Sequence, residues 1–115
     1  MRDLKPEEHA IISKLLSVSF IGKEAVIEQL NNCQAEATGD TDNYGSIHLR
    51  TTSDKPALVK DRIPVEAIAK DADGVPVSVL LHVVNGFVNE LEILRADGAP
   101  LQAAIHPRNM EVTVN

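Results

Sequence analysis

Residues 62–95 read RIPVEAIAKDADGVPVSVLLHVVNGFVNELEILR, and the placement of their apolar residues decides the fold. The stretch divides into three runs of β-forming residues at Ala72-Asp73-Gly74 and Val84-Asn85-Gly86. Asp-Gly and Asn-Gly between alternating runs are strong hairpin signals, because these residues accept the positive φ of a tight turn. Packing then chooses the loop length. A two-residue turn at Asn85-Gly86 would set Val84 opposite Phe87, Leu81 opposite Glu90 and Val79 opposite Glu92, mixing apolar and acidic residues on each face. A three-residue loop with Gly in the left-handed position sets Val83, Leu81, Val79 and Val77 against Phe87, Asn89, Leu91 and Ile93, all apolar but Asn89. The same loop at Ala72-Asp73-Gly74 sets Ala69, Ala67, Val65 and Ile63 against Val77, Val79, Leu81 and Val83. The two turns build one continuous apolar face, and a slip of one residue would turn it to water.

That face needs a cover, and the residues before it supply one. Pro6 stands where a helix starts, and Glu7 and Glu8 complement the positive end of the helix dipole. Ile11, Ile12, Leu15 and Leu16 then recur at helical spacing, up to Ser17-Val18-Ser19-Phe20. Gly22 opens a second helix over 23–31, with Val26, Ile27 and Leu30 as its buried stripe. Both helices are short, so their stability comes from packing. Residues 34–38 are a weak strand candidate, 39–43 a turn, and 45–51 a strand with Ile47 and Leu49 inward and Ser46, His48 and Arg50 outward. Residues 52–61 read as a polar, mobile loop. Turns at Asp97-Gly98-Ala99-Pro100 and His106-Pro107-Arg108-Asn109 precede a last short edge strand over 110–114. The expectation is one α+β domain over 1–115, with two N-terminal helices packed on one face of an antiparallel β-meander of four to five strands.

Composition narrows the function classes. Seventeen acidic residues face eleven basic ones, a net charge of −6. Non-specific nucleic-acid binding needs a basic footprint, so that class is set aside. The charge suits solubility and is compatible with a basic protein partner. Cys33 is the one cysteine, so no internal disulfide forms, and zinc-site spacings are missing. A lone Cys suits a reducing compartment. The charged N-terminus lacks a signal-peptide core, and no run is long and apolar enough for a membrane span. A cytoplasmic location without membrane attachment is expected.

Chemistry, if present, belongs to the other sheet face. In the register above, Glu66, Leu80 and Glu90 form one row, Pro64, His82 and Val88 a second, and Ile68, Ser78 and Glu92 a third. A His among carboxylates suits acid/base work or a metal; a solvated sheet face gives the same pattern. The apolar interruptions at Leu80, Val88 and Ile68 suit a protein-binding face or a dimer interface. Asp40-Thr41-Asp42-Asn43-Tyr44-Gly45 has the look of a calcium loop, but Tyr44 stands at a ligand position and no Glu follows at the twelfth place. Cys33 reads as a structural thiol, and His9 and His106 as surface residues. No dinucleotide, P-loop, nucleophile-elbow or zincin motif occurs, so no catalytic residue, metal or cofactor is assigned.

Over Leu80-Leu81-His82-Val83-Val84-Asn85-Gly86-Phe87-Val88-Asn89-Glu90-Leu91-Glu92-Ile93, the chain resembles a group of small bacterial proteins of unknown function. The likeness extends to Leu4-Lys5-Pro6-Glu7-Glu8, Phe20-Ile21-Gly22-Lys23-Glu24 and Tyr44-Gly45-Ser46, and spans about residues 4–100. The resemblance implies the fold and brings no activity with it. The leading expectation is a non-enzymatic module that binds a protein or a second copy of itself through the face of Glu66, His82, Glu90 and Glu92 or through an open sheet edge. An immunity-like protein that neutralises a basic toxin is one form of it. The alternative is a small enzyme or a ligand or metal binder using His82 and nearby carboxylates.

Overall fold

The computed structural model describes residues 1–38 and 44–115. The turn at 39–43, and most of the calcium-like stretch, lie outside the described residues. The order of elements is β1 (Arg2–Asp3), α1 (Pro6–Leu15), α2 (Lys23–Asn31), β2 (Cys33–Ala37), β3 (Ile47–Thr51), β4 (Val65–Lys70), β5 (Pro76–Val84), β6 (Phe87–Arg95), a single 3-10 turn (Pro107–Asn109) and β7 (Glu111–Val114). The α+β class stands, but among the described residues the strands number seven, not four or five. They form one antiparallel sheet in the order β1-β2-β3-β6-β5-β4-β7. The two added strands are short. β1 has two residues and is held by the Arg2 guanidinium, which donates to both carboxylate oxygens of Glu8 at 2.8 and 2.9 Å. Glu8 also accepts the Lys5 N–H at 2.8 Å and so closes the start of α1. β2 is the weak candidate, paired along its length with β3.

The first tight turn is as expected for three of its four pairs; the ladder ends at Val65, and the Val83 N–H donates to the Arg62 carbonyl, so Ile63 does not pair with Val83. Val65 faces Leu81, Ala67 faces Val79 and Ala69 faces Val77. Gly74, at φ 86°, closes the loop after the Gly74 N–H donates to the Asp71 carbonyl. The second turn differs. Asn85 (φ 52°) and Gly86 (φ 87°) make a two-residue turn, with Val84 opposite Phe87 and Val83 opposite Val88. The pairing then shifts by one, so that His82 faces Glu90, Leu81 faces Leu91 and Val79 faces Ile93. Asn89 is the extra residue of a β-bulge. The bulge restores the apolar face that an unbroken two-residue hairpin would lose, and the two-residue turn before it puts Val88 in the core opposite Val83 rather than on the outer face.

Val65, Val77, Val79, Leu81 and Leu91 from the sheet and Leu15, Val26 and Leu30 from the helices are buried in one cluster. The helices therefore cover one sheet face. The 52–61 segment is no loose loop. Ala57 is buried, its N–H donates to the Gly86 carbonyl at 2.7 Å, and Val59 packs on the core. Gln29, fully buried on α2, joins the same junction. Its amide N–H groups donate to the Lys55 and Gly86 carbonyls, and its oxygen accepts the Val88 N–H. No helix among the described residues is long and apolar enough to cross a membrane.

Candidate functional site

Alternation along β4, β5 and β6 sends Glu66, His82, Glu90 and Glu92 to the face without helices. The bulge changes which of them are neighbours. Glu66, Leu80 and Glu92 share a row, with Thr113 of β7 beside Glu66. His82 and Glu90 share the next row with His48 and Glu36, on β3 and β2. Ile68, Ser78 and Leu94 form a third row, bordered by Glu111. The rows expected with Glu90 beside Leu80, and with Glu92 beside Ser78, are thus corrected by two residues.

His82 makes its contact with Glu92, not with Glu66 or Glu90. Its Nε2 lies 2.8 Å from Glu92 Oε1, while Arg62 Nε–H donates to its Nδ1 at 3.2 Å. A ring that accepts at Nδ1 carries its proton on Nε2 and donates it to the carboxylate, so both nitrogens are occupied. The His82 side chain is largely covered and that of Glu92 about a third exposed. Among the described residues, Glu66 and Glu90 make no ion pair, and no three His, Cys, Asp or Glu side chains are grouped to hold a metal ion. Five clefts on the molecule are lined by other residues. The arrangement orients an imidazole on the sheet face that the helices leave open.

The same face carries apolar residues. Ile68 and Leu94 are each 49 % exposed, and both lie one strand from Ser78 on β5, diagonal to half-buried Leu80. An aliphatic triangle, Ile68–Leu80–Leu94, is thereby bordered by Glu66, Glu92 and Glu111. Sequence reading found Leu80 and Ile68 and missed Leu94, although alternation from Glu90 and Glu92 placed it outward.

The strongest electrostatic cluster lies elsewhere. Arg95 falls opposite Val77 on the core side and is buried. Its guanidinium donates to Asp71 at 2.7 Å, to both oxygens of Asp73 at 3.2 and 3.0 Å, and to both oxygens of Asp97 at 2.9 and 2.7 Å. The fork fits these carboxylates geometrically. Asp97, Asp71 and Asp73 raise the Arg95 pKa further above its ordinary value. Arg95 in turn holds the Asp97 carboxyl well below the usual carboxylate range, helped by the Ala99 N–H. For Asp71, burial works to raise the pKa. The N–H groups of Gln102 and Ala72 and the Arg95 guanidinium outweigh it, and the net direction is down. Every partner in this cluster is satisfied from within the chain, so it fastens two turns and the 99–105 segment to the sheet.

The remaining candidates stay minor. Burial pushes the Cys33 thiol up, which lowers its thiolate fraction. His9 and His106 are exposed. No curated protein and no solved structure matches the chain. Residues 1–105 match the family model described as Domain of unknown function (DUF6984), and the chain belongs to that family.

Proposed function

We propose that this domain is a non-enzymatic binding module whose outer sheet face docks a protein with an aliphatic centre and a ring of Lys and Arg. One observation carries the reading: on the open face the Ile68–Leu80–Leu94 triangle has Glu66, Glu92 and Glu111 on its border, with Lys70 beyond Ile68. Exposed aliphatic groups supply the dry centre of an interface, and an acidic rim steers a basic partner and selects against acidic ones. The net charge of −6 acts in the same direction. An immunity-like role against a basic protein, in a reducing cytoplasm that suits the lone Cys33, is one setting for such a surface.

The test uses Ile68→Lys/Leu94→Lys as the face variant. Glu28→Lys, exposed on α2, is the control, since it changes the net charge by the same amount. Immobilised wild-type and control domains are expected to retain the same basic protein from host lysate, and the face variant is expected to lose it. Equal retention by all three, or retention of nothing by the wild type, overturns the reading. A small enzyme built on His82 gains less support. The His82–Glu92 contact favours it, but both ring nitrogens are engaged within the chain.

A further inference from the structure

The two edges of the sheet are unlike. β1 offers two residues before Leu4 enters the core and α1 begins. β7 offers four, Glu111-Val112-Thr113-Val114, paired with β4 in unbroken register. It has no Pro, no Lys and no bulge, the usual devices that blunt an edge.

We propose that two copies of this chain join along the outer edges of their β7 strands, so that the two sheets continue as one. The Asn115 N–H donates to the Pro64 carbonyl. In an antiparallel ladder the alternation then turns the backbone groups of Thr113 and Glu111 toward β4, and those of Val112 and Val114 away from it. A second copy approaching about a two-fold axis at Thr113 meets these groups in kind. Val112 pairs with Val114 of the second copy, and Val114 with its Val112, giving four N–H to C=O bonds. Thr113 stands beside Thr113 of the second copy, and the Glu111 side chain faces that of its Asn115, so no like-charged side chains oppose. Val–Val and Thr–Thr are favourable cross-strand pairs.

Competing registers do worse. A one-residue slip sets the helix side of one sheet against the outer side of the other. A two-residue slip offers Met110 for Val114, and the Met110 N–H already donates to Pro107. The chosen register covers Val114, now 43 % exposed. It also places the second copy's Val112 beside the groove lined by Phe20, Ile21, Pro64 and Val114. The contact is short, about 13 Å of strand, so the dimer belongs to the weak, small-interface class. It leaves the outer face uncovered and does not depend on that face having a partner.

Sedimentation velocity and amide exchange test the inference from about 10 μM to about 1 mM protein. The mass is expected to rise toward twice the 12.5 kDa of one chain, with the Val112 and Val114 amides slowing in step. Val114→Pro removes two of the four bonds without touching the ladder to β4, and is expected to weaken the dimer about thirtyfold. Thr113→Lys, exposed and on the axis, sets two ammonium groups side by side and is expected to weaken it at least about tenfold. Ile68→Lys/Leu94→Lys leaves the dimer intact, which separates this edge from the docking face. A chain that stays at monomer mass throughout overturns the inference. So does a dimer that both edge variants leave unchanged.

Discussion

Gln29 shows how one side chain can hold a junction. Three backbone groups, at Lys55 in the 52–61 segment and at Gly86 and Val88 around the second tight turn, end on its amide. Gln29→Leu keeps the volume, takes the partner from the Lys55 carbonyl and the Val88 N–H, and leaves the Gly86 carbonyl to the Ala57 N–H alone; it is expected to cost about 3 kcal/mol. A lower urea midpoint at unchanged slope would register it. Its position three residues after Val26 put it on the buried stripe of α2, so its burial was readable from sequence. Its partners were not, because they are backbone groups brought together by the fold. Arg95 was hidden for a different reason. With Val77 set against Ile93 it fell beyond the paired region. The bulge leaves it on the core side, where alternation already put it, and brings it into the ladder opposite Val77, where a buried guanidinium needs carboxylates. The pH dependence follows from those carboxylates. The folded pKa values of Asp71 and Asp97 lie below their ordinary values, so the unfolded chain takes up protons first as acid is added. Their contribution is full above about pH 4 and is lost as the pH falls through the lowered folded values. Thermal unfolding followed along an acid titration is expected to show this decline, and Asp97→Asn to flatten part of it.

At the scale of elements, the two tight turns make a controlled comparison. A Cβ on Gly74 would meet no other atom within 4 Å, whereas one on Gly86 would come 2.8 Å from Pro56 Cβ. Both residues have positive φ. Gly74→Ala is therefore expected to cost about 1 kcal/mol, from backbone conformation alone. Gly86→Ala is expected to cost about 3 kcal/mol, since the 52–61 segment must also move away. Equal losses in chemical denaturation would mean that this segment is not seated on the turn. The helix bounds, the first hairpin and its register could all be read in the sequence, because Pro6, Gly22 and the Asp-Gly turn each answer to a local rule. The second hairpin departs from the sequence expectation for a physical reason. A three-residue loop and a two-residue turn followed by a bulge place the later residues of β6 on the same faces. Burial alone therefore cannot choose between them. The Asn-Gly pair, which prefers the two-residue turn, carried the missing information. The error shifted the candidate residues along the face by one pair. All four stayed on that face, but His82 gained Glu92 as its neighbour.

The whole molecule is a sheet with one covered and one open side, and that much follows from alternation and charge in the sequence. The strand order does not, because β1 and β2 are too short and polar to announce where they join. They reach the meander through β3, whose ladder with β6 has two residue pairs, Ile47 with Leu91 and His48 with Glu90. Ser46 extends this seam with its hydroxyl, which accepts the Ile93 N–H at 2.8 Å and donates to the Ile93 carbonyl at 3.3 Å. The seam has a consequence for the order of events when the chain folds. β4, β5 and β6 meet by closing loops of a few residues. β3 must find a strand some forty positions further on, at a higher entropic cost. The hairpins are therefore expected to form before the rate-limiting barrier and the seam after it. In stopped-flow measurements, Val79→Ala on β5 should slow refolding, and Leu49→Ala on β3 should chiefly speed unfolding. Equal slowing of refolding by both would instead place the seam at the barrier, with a strand pairing made across some forty positions of chain as its clock.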